Sequence, residues 1–156
     1  MLQRVQSLYL AIALIMVLLL AFMPVMEVMD SANQLLVMRM SGLYRIQTGG
    51  PESPVKIWWS LPILEGAILF ICLAAIFLYR KRKVQMRLCI LAILLLACLT
   101  GLIFYFILVV FRNVSMVEHS FKLTLVFPVM AIILNGLSFR AIRKDEELIK
   151  SIDRVR

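Results

Sequence analysis

The chain has 156 residues, a formal net charge of +8, 63% hydrophobic residues against 17% charged, and a mean hydropathy of +0.97. Soluble domains hold roughly 45 to 50% apolar residues, so the composition argues against a water-soluble enzyme and for a single integral membrane domain over residues 1–156. The basic residues sit at the ends of apolar runs rather than on an aromatic-studded polar face, which excludes nucleic acid as a partner and makes the charge a device for orienting the chain in a bilayer.

Met1 to Gln6 is a short polar head, and Leu8 to Met26 supplies about the 20 apolar residues that cross a hydrocarbon core. The run is too long for a secretory h-region and ends in Ala21-Phe22-Met23-Pro24 without a small-x-small cleavage site, so a retained first span over 8–26 is expected. Pro24 marks where its helix can end with least loss of backbone hydrogen bonds. Glu27 to Lys56 is the longest polar interval. An unstructured loop of that length is unusual, and two β-leaning runs, Leu35 to Met40 and Leu43 to Gln47, flank Ser41-Gly42 as in a hairpin. Thr48 to Pro54, with Gly49-Gly50-Pro51, reads as a loop returning to the membrane, where Trp58 and Trp59 mark an interface.

The second span covers 57–79 and exits into the basic turn Arg80-Lys81-Arg82-Lys83, which continues to Arg87. A third span over 88–111 leads to a short outer loop, Asn113 to Lys122, then a fourth span over 123–139 and a tail over 140–156. This threading puts Arg4, Arg80, Lys81, Arg82, Lys83, Arg87, Arg140, Arg143, Lys144, Lys150, Arg154 and Arg156 on one side, and only Arg39, Arg45, Lys56, Arg112 and Lys122 on the other. By the positive-inside rule the richer side, with both termini, is cytoplasmic. The expected fold is an all-α membrane protein: a four-transmembrane-helix bundle with N- and C-termini cytoplasmic and a small β-hairpin-like outer loop over 27–56. Ala97 and Gly101, one turn apart, are expected to let the third span pack closely on a neighbour.

The opening Met1-Leu2-Gln3-Arg4-Val5-Gln6-Ser7-Leu8-Tyr9-Leu10 and the closing stretch Arg140 to Arg156 resemble the ends of a Bacteroidota family of four-span inner-membrane proteins, catalogued as domain of unknown function 4293. The resemblance implies a multi-pass protein of the bacterial inner (cytoplasmic) membrane. It carries over no activity and no catalytic residues.

Within the apolar runs Glu65 is the most informative residue, since a carboxyl group inside a span is costly unless paired or wetted. It reads either as a proton or cation site near an outer-facing cavity, or as a protonated group that holds helices together by bonding a neighbour such as Tyr105. Asn135, with Ser138 nearby, reads as an interhelical amide bond within reach of Tyr9, in the opposite half of the membrane from Glu65. Cys72, Cys89 and Cys98 lack CxxC spacing and read as buried apolar-like thiols; a redox role requires two of them, such as Cys72 and Cys98, to meet. His119 beside Glu118 offers too few ligands for a metal site. In the tail, Leu148, Ile152 and Val155 form an apolar stripe, and Asp145-Glu146-Glu147 can fold back on Arg80 to Lys83 to make one cytoplasmic platform for lipid or a partner.

No nucleotide loop, nucleophile with base, paired catalytic carboxylates or metal cluster is visible, so no catalytic, cofactor-binding or metal residues are assigned and no cofactor is expected. The expected function is non-enzymatic: a scaffold, stabilising or regulatory subunit of an envelope assembly. Its partners are then the lipid bilayer and a membrane or cytoplasmic protein, or further copies of itself. The alternative is a small transporter or channel component using Glu65; a membrane enzyme comes third.

Overall fold

The computed structural model describes residues 3–30, 34–46, 52–78, 82–113 and 116–154. In chain order it contains α1 (Gln3–Phe22), β1 (Met26–Asp30), β2 (Leu35–Arg39), β3 (Gly42–Ile46), β4 (Ser53–Ile57), α2 (Ser60–Phe77), α3 (Arg82–Asn113), β5 (Met116–Phe121), a 3-10 turn (Leu123–Val126) and α4 (Phe127–Arg154). The expected all-α class is corrected here. Five antiparallel strands in the order β4-β3-β2-β1-β5 form a second layer beside the four helices.

The strands missing from the expectation have identifiable causes. The first apolar run ends early as a helix: the Pro24 ring disfavours helical backbone at Met23 and clashes with the carbonyl of Leu20, so α1 stops at Phe22. Released from the helix, Met26 joins a strand whose alternation is brief, and Met26 and Val28 are buried while Glu27 is half-buried. Strand β5 pairs with β1 from Met26↔Phe121 to Asp30↔Met116, a partnership across some ninety residues that no local signal announces. β4 carries Pro54, which an edge strand tolerates because one side of it has no ladder to supply. The hairpin at Ser41-Gly42 forms as expected, with Arg39 facing Gly42 and Leu35 facing Ile46.

One face of the sheet closes over the ends of the helices. Val28, Leu36, Met38 and Leu43 alternate onto that face and share a continuous core with Leu20, Leu61, Ile107 and Val110. The Val25 N–H donates to the Met38 carbonyl at 2.9 Å and the Lys122 N–H donates to the Val25 carbonyl at 3.1 Å, tying both sheet-side connections together. Trp58 is part of this core, 6% exposed, whereas Trp59 stands 73% exposed as an interface indole should.

Each helix buries a narrow stripe at alternating steps of three and four. The stripe is Leu10, Ala13, Val17 and Leu20 on α1, and Leu61, Glu65, Ile68, Cys72 and Ala75 on α2. On α3 it includes Cys89, Ala92, Leu96, Leu99 and Ile103, and on α4 Ala131, Asn135, Ser138 and Ile142. That spacing is the seam of helices packed at shallow angles; α1 and α3 each contact both α2 and α4. Large apolar side chains such as Phe70, Phe77, Leu94 and Leu108 point outward, a surface suited to hydrocarbon. Ser60–Phe77, Lys83–Val110 and Leu123–Glu146 are long and apolar enough to cross a membrane; the apolar helix Ser7–Phe22 is shorter. Ala97 and Gly101 do not serve the expected close packing: both are exposed, and a Cβ on Gly101 would meet nothing within 4 Å.

Candidate functional site

The interior stripe of α4 is more polar than those facing it. Asn135 and Ser138 are both fully buried there, on the face that also carries Ala131 and Ile142. The Asn135 amide Nδ2 donates to the Ala131 carbonyl at 2.9 Å, one turn back along its own helix. It also reaches the Cys72 thiol of α2, while Ser138 reaches the Cys89 thiol of α3. The two thiols are within electrostatic reach of each other across α2 and α3. Cys98, which a redox role would pair with Cys72, is exposed on α3 rather than buried as expected, and all three cysteines are unbridged.

Glu65 lies seven residues before Cys72 on the same stripe, about 10 Å nearer the sheet. It is 3% exposed, and its Oε1 has no hydrogen-bond partner among the described residues. Tyr105, the neighbour expected to receive it, is 58% exposed and meets Phe106 edge to face. Glu65, Tyr105 and Asn135 therefore do not form one constellation. The Asn135 Oδ1 is likewise buried without a partner among the described residues.

The end of the molecule farthest from the sheet holds a different arrangement. A cavity of about 580 Å³ opens between α3 and α4, with Lys83, Arg87 and Arg143 around it and Glu146 at its edge. Met86, Ile90 and Phe139 supply its apolar wall. Of the basic turn and the acidic run, Lys83 and Glu146 line this one cavity, Asp145 turns inward and is 8% exposed, and the tail continues α4 to Arg154. Arg80, Lys81 and Val155 lie outside the described residues. Arg82 opens α3, and Glu147, Leu148 and Ile152 fall within α4, with their side chains outside the described residues.

On the sheet, His119 pairs with Val28 and Glu118 with Met29 in β5, and the side chains of both lie outside the described residues. Among the described residues, no group of three or more His, Cys, Asp or Glu is placed to hold a metal ion. The basic cavity was missed from sequence because its cations come from two helices; the signal available was an arginine one turn outside an apolar residue on each, Arg87 before Ile90 and Arg143 after Phe139.

A family model described as Domain of unknown function (DUF4293) matches residues 2–155, essentially the whole chain, and the chain belongs to that family. No curated protein matches it.

Proposed function

We propose that this member of the DUF4293 family is a non-enzymatic, multi-pass protein of the bacterial inner membrane that scaffolds, stabilises or regulates an envelope assembly. The observation that supports this reading is α4, an unbroken helix of 28 residues. At 1.5 Å per residue it measures about 42 Å, against roughly 30 Å of hydrocarbon. The stretch able to cross ends at Glu146, so residues 147–154 leave the membrane as a rod of about 12 Å. A rod rooted in packed helices presents its surface to a partner in a fixed direction and with little ordering cost. In this reading α1 is the fourth span, both termini are cytoplasmic and the sheet lies outside. The contact surface is Glu147, beyond the buried Asp145, with the stripe that the sequence gives at Leu148, Ile152 and Val155.

The test is affinity isolation of the full-length protein from its native membrane in mild detergent, beside a version ending at Glu146. That end point keeps Ile142 and Asp145, which are buried in the molecule. Partners held by the full chain and lost from the shorter one are the expected result. Identical partners from both versions contradict a role for the tail.

One observation favours a second reading, a small transporter or channel component acting as an oligomer. Glu65 is buried in a span with a carboxyl oxygen that finds no hydrogen-bond partner among the described residues. Buried intramembrane carboxyls of this kind bind protons or cations in transport proteins. Proton-driven flux in reconstituted vesicles that vanishes in Glu65→Gln would establish it.

A further inference from the structure

We propose that the cleft between the basic ends of α3 and α4 is a binding site for one anionic phospholipid. The inference rests on α3 and α4 crossing the membrane, as their length and composition allow, and is independent of any protein partner.

Three cations and one carboxylate line the cavity, so its electrostatic balance favours an anion. The geometry is specific to an amphiphile. On α3, Arg87 lies one turn outside Ile90; on α4, Arg143 lies one turn outside Phe139. Each wall therefore places an apolar side chain toward the hydrocarbon and a guanidinium toward water. Met86 extends the apolar wall, and Lys83, one turn beyond Arg87, extends the charged rim. Ile90 is 46% exposed, so an acyl chain lying against it covers apolar surface that the protein leaves open. Arginine suits the other end of such a ligand, because its planar donors match a phosphate and its long stem lets the charge reach the headgroup level. Basic pockets between helix ends on the cytoplasmic side are a recurrent way of holding acidic headgroups. A soluble phosphate would use the rim and leave the apolar wall unfilled, and a zwitterionic lipid would bring its ammonium among three cations with the single carboxylate of Glu146 to meet it.

The experiment uses the full-length protein in phosphatidylcholine vesicles with trace spin-labelled phosphatidylglycerol or spin-labelled phosphatidylcholine, and reads the relative association of the two labels with the protein. The wild type is expected to prefer the anionic label. Arg87→Gln with Arg143→Gln should abolish the preference, at roughly fivefold for each charge removed near the surface. Arg112→Gln, an exposed cation at the opposite end of α3, should leave it intact. Lys83→Gln, an exposed change that keeps both arginines, should lower the preference in part and serves if the double variant does not fold. Equal affinity for both labels in the wild type, a preference untouched by Lys83→Gln and the arginine changes, or an equal fall in the Arg112 variant would overturn the proposal.

Discussion

Trp58 lies against Phe106, with ring centroids 4.5 Å apart and planes tilted by 30°. The contact joins the residue that links the sheet to α2 with the sheet-proximal part of α3, so it fixes the sheet on the helices. Its backbone is held as well, since the Trp58 N–H donates to the Ser41 carbonyl at 3.1 Å. Trp58→Ala should therefore cost about 3 to 5 kcal/mol of stability. Trp58→Phe should cost much less, because the indole Nε1 is buried without a partner and its loss removes an unsatisfied donor. Denaturation midpoints in detergent, read from the remaining Trp59 fluorescence for the alanine and phenylalanine variants alike, separate the two.

Gly42 sits at φ +155°, and a Cβ there would run into the Lys56 carbonyl oxygen and stand 3.0 Å from the Ile57 Cα. Both obstacles are backbone atoms of the neighbouring strand. Gly42→Ala is expected to lower stability by about 2 kcal/mol or more. Gly101→Ala, with open space around the added methyl, should be neutral or slightly stabilising in the middle of α3. Thermal unfolding of the pair gives the comparison.

Replacing Glu65 by Leu should leave the unfolding midpoint unchanged or raise it, since a buried carboxyl oxygen without a partner costs about 1 to 3 kcal/mol and an apolar residue of similar size does not. A clear loss of stability would mean that the carboxyl group bonds something in the assembled protein. That result would favour the transport reading over the scaffold.

Glu27 and Lys122 form an ion pair at 2.8 Å between β1 and the residue that follows β5, with side chains 29% and 38% exposed. Arg39 and Glu52 pair at 3.0 Å at the other side of the sheet and are more open still. Glu27→Gln and Glu52→Gln should each cost less than about 1 kcal/mol, and high salt should erase the difference from wild type. A larger effect at Glu27 would show that the pair fixes the β1–β5 register.

The helices were legible because hydropathy survives without any partner being known: the apolar runs that contain Leu61, Leu96 and Ile132 are helical in the structure. The hairpin was legible because Ser41-Gly42 stands between alternating runs, and only glycine suits the backbone at that turn. The rest of the sheet was hidden by distance and by mixed signals. Met26 reads as the end of a span until Pro24 is seen to have ended it, and β5 acquires its strand character only against β1. Helix orientation was hidden too, because a span apolar on all sides does not show which face is inward. Glu65 lies on the buried face of α2, whereas Ala97 and Gly101 suggested a packing face that is exposed in the chain. The cleft required both Arg87 and Arg143, 56 positions apart by their numbers, to be placed side by side.

The most direct test of the scaffold role is photo-crosslinking in native membranes from single positions bearing a photoreactive phenylalanine analogue. Position Ile152 reports on the projecting part of α4, and Phe70, 72% exposed within α2, reports on the outward apolar surface. A scaffold working through its tail predicts a discrete adduct with a different protein from Ile152 and none of that adduct from Phe70. Only self-adducts, or no adduct, from Ile152 would contradict it.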